Sequence, residues 1–166
     1  MSICIRPYKD KDFEVLEKIR NDFHLQHVLL TNPKPNNKKR VLQWIENKSA
    51  GEKSVFFVIS NEKEETIGYV QAVNIDTLNR NCYIGIVIDE NWRGKGVFKP
   101  SIQLIEKYLK NTYNIHKIIA EILHTNIESL KAFQKNHYEK IGTFKNHFYF
   151  NEEFHDVCIF EKMIDK

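Results

Sequence analysis

Apolar side chains recur along this chain in two rhythms. At Phe13, Leu16, Ile19 and Phe23 they fall three or four residues apart, which predicts a helix over residues 10–21. Val41, Leu42 and Ile45 mark a second helix over 38–47. The stretch 31–37 between them carries Pro33 and Pro35, which keep it out of a helix. From Ser54 the rhythm changes. Segments 54–60, 66–76 and 81–89 are rich in Val, Ile and aromatic residues and are joined by short polar connections such as 61–65. They predict an antiparallel meander. Helical spacing returns at Ile102, Ile105 and Leu109, in a helix that opens at Gly96 and runs to about residue 112. Residues 117–123 predict a strand, 126–135 a helix, and 138–150 with 154–163 two closing strands. With a first strand at the amino terminus the order is β-α-α-β-β-β-α-β-α-β-β, an α+β domain spanning 1–166.

Composition narrows the class. A chain of 166 residues with 42% hydrophobic and 28% charged positions suits one globular domain and excludes collagen, coiled coil and wholesale disorder. Its 25 Lys and Arg against 22 Asp and Glu leave +3, too mild for a nucleic-acid coat. No aromatic RNA-binding pattern accompanies those charges, so no nucleic-acid partner is expected. Cys4, Cys82 and Cys158 are odd in number and form no CxxC pair, which argues against a disulfide framework or a zinc ribbon; no metal is expected. The apolar runs at 55–59 and 84–88 fall far short of the roughly 20 residues of a membrane helix. No apolar leader core follows Met1. A cytoplasmic setting away from membranes is the expectation.

The sharpest chemical signal lies at 84–98, where Ile84-Gly85-Ile86-Val87-Ile88 leads through Trp92-Arg93-Gly94-Lys95-Gly96 into the next helix. Gly94 and Gly96 let an anion approach the main chain. The first N–H groups of a helix lack partners, and its dipole favours negative charge. Pro100 fits there, since the N–H it lacks would go unused. Arg93, Lys95 and Lys99 add cations. Residues 93–117 hold six Lys and Arg against Glu106 alone, a local charge of +5. Positive charge thus gathers where a phosphate would sit. The loop fits neither a Walker A loop nor a GxGxxG fingerprint, and taken alone it is also consistent with an ordinary turn.

Arg93-Gly94-Lys95-Gly96 after Ile86-Val87-Ile88 resembles motif A of the GNAT superfamily of N-acetyltransferases. Residues 117–126 resemble that family's fifth strand and its exit, and Asn126 to Tyr138 its following helix. The ending Phe150-Asn151-Glu152-Glu153-Phe154-His155-Asp156-Val157 resembles the RimJ/RimL-like branch. The resemblance covers nearly the whole chain. It implies a mixed, mostly antiparallel central sheet flanked by helices, and acetyl-CoA as co-substrate. Ile86, Val87 and Ile88 would offer main-chain groups to the pantetheine arm and thioester. Arg93, Gly94, Lys95, Gly96, Val97 and Phe98 would cradle the pyrophosphate. Asn126 would hydrogen-bond the pantetheine, and Phe133 would pack near the thiol end. Three positions depart from the family pattern. Phe98 replaces a Gly or Ala of motif A, His137-Tyr138 replaces a Gly-Phe pair, and Phe133 replaces the tyrosine that many members use as general acid.

The reaction implied is acetyl transfer to an amine. An alkyl ammonium has a pKa near ~10 and must lose a proton first. A thiolate, with a pKa of about 8.5, leaves with modest help. Orientation and main-chain donors at the thioester oxygen could then carry much of the catalysis. Candidate proton carriers are Tyr83, Glu121, His124 and Tyr138, with His155-Asp156 as a further pair. Glu121 and His124 are equally readable as a solvated strand charge and a structural histidine. The acceptor should meet the first helix pair and the final hairpin. Arg20, Asn21 and His155 are the substrate-binding candidates there, in a polar-aromatic cluster with Asp22, Phe23, His24, Gln26 and His27. That cluster suits a hydroxyl-rich or phosphorylated ligand, or else a helix end with Phe23 in the core. The leading expectation is an N-acetyltransferase acting on a small amine, such as a nucleotide-linked amino sugar. A protein amino terminus and a non-catalytic acyl-CoA-binding domain are the alternatives, and a homodimer stays open.

Overall fold

A computed structural model describes residues 1–165. Seven strands form one sheet in the order β1-β2-β3-β4-β5-β7-β6. β1 (Ile3–Arg6), β2 (Val55–Asn61), β3 (Thr66–Asp76) and β4 (Asn81–Ile88) are antiparallel neighbours, the expected meander. β5 (Lys117–Leu123) runs parallel to β4 and is reached through the helix α4 (Phe98–Tyr113). β7 (Glu153–Met163) joins β5 to the edge strand β6 (Glu139–Phe150), both pairings antiparallel. The remaining helices are α1 (Phe13–Asn21), α2 (Phe23–Val28), α3 (Lys38–Ala50) and α5 (Ile127–Lys135). This is the mixed, mostly antiparallel sheet flanked by helices that the family resemblance implies.

Alternation along the strands builds two apolar layers. Ile59, Val70, Cys82 and Ile118 pack with Ile102, Ile105 and Leu109 of α4. Val58, Tyr69 and Val87 pack on the other face with Leu16 and Ile19 of α1 and Val41 and Ile45 of α3. Each fully buried aliphatic residue contributes about 1.5–3 kcal/mol.

The first helical stretch departs from expectation. It is a 3-10 turn, Asp10–Asp12, followed by α1. Asp12 is turned inward, where its carboxylate accepts from Arg6 Nη1 and Nη2 at 2.8 Å each, from the Thr66 hydroxyl at 2.6 Å and from the Lys9 amide at 2.7 Å. Asp22 takes extended backbone (ψ 108°), ends α1 and caps α2 by accepting the Leu25 N–H at 3.0 Å. Phe23 therefore starts a separate helix and is 54% exposed, not a core residue. Asn37 caps α3 by accepting the Arg40 N–H at 3.0 Å. α4 begins at Phe98 and not at Gly96, because Gly94 and Gly96 hold φ of +73° and +74°, outside the helical region.

One departure from regular pairing positions the site. β4 and β5 pair only where Asn81–Tyr83 meets Lys117–Ile119. β4 nevertheless stays paired with β3 as far as Ile88, and β5 with β7 as far as Leu123. The two central strands start together and then part. Their facing edges carry main-chain groups that a ladder would otherwise satisfy.

Candidate functional site

A cavity of about 1130 Å³ opens at this fork. Its floor is residues 84–88 of β4 and 120–122 of β5. On the α4 side it is walled by the loop from Trp92 and by α5, and on the α1–α3 side by Arg20, His24, Trp44, Tyr69, Gln71 and Tyr83.

The loop wall is a cup of donors. Among the described residues, no acceptor within the chain takes the N–H of Gly94, Lys95, Gly96, Val97, Phe98 or Lys99. The first amide of this stretch to be engaged is that of Ser101, which donates to the Val97 carbonyl at 3.3 Å. No side chain caps α4 at Val97. A Cβ built on Gly94 or Gly96 would meet nothing within 4 Å, so these glycines serve backbone shape and open access, not packing. Free amides at a helix start, flanked by Arg93, Lys95 and Lys99, fit a diphosphate.

The loop is tied down at its start. Arg93 Nε donates to the Ile88 carbonyl at 3.1 Å. Asp89, 5% exposed, accepts the Asn91 N–H at 3.0 Å and pairs with Lys18 of α1 at 3.2 Å. Burial alone would push the Asp89 carboxyl up, but those bonds outweigh it and hold it below the usual carboxylate value. The Asp89 N–H donates to Ile67 on β3. Main-chain groups of successive strand residues point to opposite edges, so Ile86 and Ile88 turn theirs toward the fork.

α5 contributes Asn126 and Phe133. Asn126 caps the helix by accepting the Ser129 N–H at 3.3 Å. Phe133 is 3% exposed and meets Phe98 and Tyr138 edge-on, with ring centroids 5.2 and 4.9 Å apart.

The four candidate proton carriers separate. Tyr83 and Glu121 line the cavity on the α1–α3 face, two positions apart across the parting strands, since Tyr83 pairs with Ile119. Tyr138 stands outside it. Its hydroxyl donates to Glu106 at 3.0 Å, where Lys162 also reaches the carboxylate at 2.9 Å. Burial and the Glu106 charge push this phenol well above its usual value. His124 also lies outside, its Nδ1 3.1 Å from the Asp156 carbonyl oxygen. His155 is stacked between Phe150 at 4.0 Å and His124 at 5.8 Å and likewise does not line the cavity.

The acceptor candidates divide in the same way. Arg20 lines the cavity, with Cζ 4.9 Å from the centroid of Trp44. Asn21 points elsewhere. Its amide donates to the Asn36 carbonyl at 3.0 Å and accepts the Asn36 N–H at 2.7 Å, fastening the proline loop to α1. Trp44, Lys48, Tyr69 and Gln71 line the cavity without having been picked out from the sequence. Gln71 did carry a signal: in β3 it is the polar member of the same-face series Tyr69, Gln71, Val73.

Comparison with known proteins agrees with this geometry. Residues 2–139 match the acetyltransferase (GNAT) domain family. The chain is 24% identical to the ribosomal-protein-serine acetyltransferase of Escherichia coli over 109 residues, 66% of this chain and 60% of that protein. It is 24% identical to the spermidine N(1)-acetyltransferase of Vibrio cholerae over 101 residues, 61% of this chain and 58% of that protein. The chain thus spans about three-fifths of these curated relatives, 60% and 58%. Among solved structures it matches the Vibrio cholerae spermidine N-acetyltransferase in complex with CoA and spermine, with TM-score 0.87 and 19% identity, covering 99% of this chain and 96% of that one. At that identity the likeness speaks for the fold.

Proposed function

This chain belongs to the acetyltransferase (GNAT) domain family, on its RimJ/RimL-like branch, and on that premise we propose that it transfers the acetyl group of acetyl-CoA to a primary amine of a small acceptor. The observation that carries the proposal is the run of unclaimed amides from Gly94 to Lys99, set beside the fork between β4 and β5.

When bound, acetyl-CoA supplies an activated acyl group as a thioester. Arg93, Gly94, Lys95, Gly96, Val97 and Phe98 would hold its pyrophosphate. The main chain of Ile86 and the N–H of Ile88 would take the pantetheine arm as a further strand takes a sheet edge, whereas Val87, expected to share that role, turns its main-chain groups to Tyr69 of β3. Asn126 keeps its amide N–H groups for the same arm, and Phe133 closes the apolar wall. Fixed N–H donors at the fork would stabilise developing charge on the thioester oxygen. On the α1–α3 face Glu121 takes the proton that the acceptor ammonium must lose, and Tyr83 orients the amine. Phe133 cannot donate a proton, so the chain contributes mainly position and electrostatics.

An amino sugar, free or nucleotide-linked, is the finer acceptor we propose. Arg20, Gln71 and Tyr83 offer the polar groups a hydroxylated amine would use. A second reading, acetylation of a protein amino terminus, draws on the relatives named for ribosomal proteins. Thermal melting with millimolar acetyl-CoA tests binding through mass action. Release of free thiol against an amine panel tests turnover. A melt shift without thiol release from any amine or peptide would leave only a binding domain.

A further inference from the structure

Arg20 is a half-buried cation without a counter-charge. It sits in the last turn of α1, lines the cavity and lies over Trp44 of α3. Its Nε is buried and makes no hydrogen bond among the described residues. Its guanidinium forms no ion pair there either, whereas Arg6 is matched to Asp12 and Lys162 to Glu106. Burying an uncompensated charge is unfavourable, so its persistence calls for a partner from outside the chain. A flat guanidinium held on an aromatic face keeps its N–H fork free and pre-oriented for a carboxylate or phosphate.

The surroundings point the same way. Lys48 follows Trp44 by one helical turn, also lines the cavity and makes no ion pair among the described residues. Among the described residues, two carboxylates line the cavity, Glu121 and Glu128. Glu128 belongs to α5, on the side of the amide cup, which leaves Glu121 alone to face Arg20 and Lys48. Gln71 adds an Oε1 atom that is buried and accepts nothing among the described residues, a ready partner for an amine N–H. Two cations with no ion pair among the described residues, an unengaged acceptor atom and a carboxylate lining one cavity together suit a zwitterion.

We infer that the acceptor amine carries an anionic group, a carboxylate or a phosphate, and that Arg20 on Trp44 is the anchor for it. The inference rests on the acetyltransferase reading and narrows it: a polycation such as a polyamine would meet Arg20 and Lys48 with like charge. Amino acids and phosphorylated or nucleotide-linked amino sugars share this chemistry.

The test is thiol release from acetyl-CoA with amines matched in spacer length. One arm is aminoalkyl carboxylates, one aminoalkyl phosphates, one amino alcohols, and one diamines with spermidine. An anionic arm is expected to exceed its amino-alcohol counterpart by about tenfold or more in kcat/KM, and the two anionic arms tell carboxylate from phosphate. In Arg20→Met that ratio is expected to fall to about one, while Arg20→Lys, which keeps charge but not the fork, retains part of it. A ratio that survives R20M, a ratio near one in the parent protein, or diamines outrunning both anionic arms would overturn the inference while leaving acetyl transfer standing. Failure of every amine to release thiol would overturn both.

Discussion

Arg93 and Ile88 are five residues apart, and the Nε of the first donates to the carbonyl oxygen of the second at 3.1 Å. The bond folds the glycine loop back against the end of β4 and ties the amide cup to the strand that leads into the fork. Replacing Arg93 with Ala removes that tie and one exposed cation. The expected result is an apparent acetyl-CoA affinity lower by about tenfold, the worth of one charged hydrogen bond. The melting temperature should barely move, because the side chain covers no core. Titration calorimetry with acetyl-CoA, run beside a thermal melt, checks both.

Gly96 presents the complementary case. Its φ of +74° strains any residue with a Cβ, yet a Cβ there meets nothing within 4 Å. Gly96→Val is expected to cost about 1–2 kcal/mol of stability through backbone strain alone. On the proposed binding mode it should weaken acetyl-CoA more than that, because the side chain would enter the space in front of the unclaimed amides. Equal losses in stability and affinity, read by denaturant unfolding and calorimetry, would mean the glycine serves the backbone only.

Asp12 governs the acid side of stability. Burial alone would push its carboxyl up, but hydrogen bonds from Arg6, Thr66 and the Lys9 amide outweigh burial and hold it below the ordinary carboxylate value. A depressed folded-state value means that the unfolded chain takes up the proton first. The contribution is therefore complete above the unfolded pKa of about 3.9 and is lost as pH falls through the folded value. Asp12→Asn should destabilise the protein by about 3 kcal/mol at pH 7, since it leaves Arg6 uncompensated. The parent and variant unfolding curves should converge as pH drops below about 4.

Much of this architecture was legible because strong periodicity survives tertiary context. Ile102, Ile105 and Leu109 mark the buried face of α4, and all three are fully buried. The glycine loop was legible for a similar reason: only a backbone requirement explains two glycines between a strand and a helix. What escaped were features set by single side chains reaching across the fold. Asp22 caps a separate helix after α1, and a six-residue helix such as α2 carries too few turns for its pattern to register. Asn21 and Tyr138 look like site residues by type and position, yet Asn36 and Glu106 engage them elsewhere. Gln71 and Trp44 enter the cavity through the register of β3 and the facing of α3, which no local pattern reports.

Tyr138 separates structure from chemistry. Its hydroxyl bonds Glu106 beneath α4, on the far side of Phe133 from the cavity. Tyr138→Phe removes that bond and leaves Lys162 paired with Glu106. The cost expected is about 1 kcal/mol in unfolding free energy. Turnover at saturating acetyl-CoA and acceptor should stay within about twofold of the parent, because this phenol does not line the cavity. A loss of more than about tenfold in kcat with intact stability would return it to the reaction.

On the proposed mechanism the proton leaves the acceptor by way of Glu121, with Tyr83 beside it. Both line the cavity on its α1–α3 face, and they stand on the two strands that part there. A carboxylate can accept the ammonium proton at neutral pH, whereas a neutral phenol is a weak base and serves better to hold the amine. Glu121→Gln preserves shape and hydrogen bonding while removing basicity. It is expected to lower kcat by about a hundredfold near pH 7, with the deficit shrinking as pH approaches ~10, where the acceptor loses its proton unaided. Tyr83→Phe should instead raise KM for the acceptor and leave the shape of the pH profile unchanged. A kcat for Glu121→Gln within about twofold of the parent near pH 7 would remove Glu121 from the role of base and leave acceptor deprotonation to solvent.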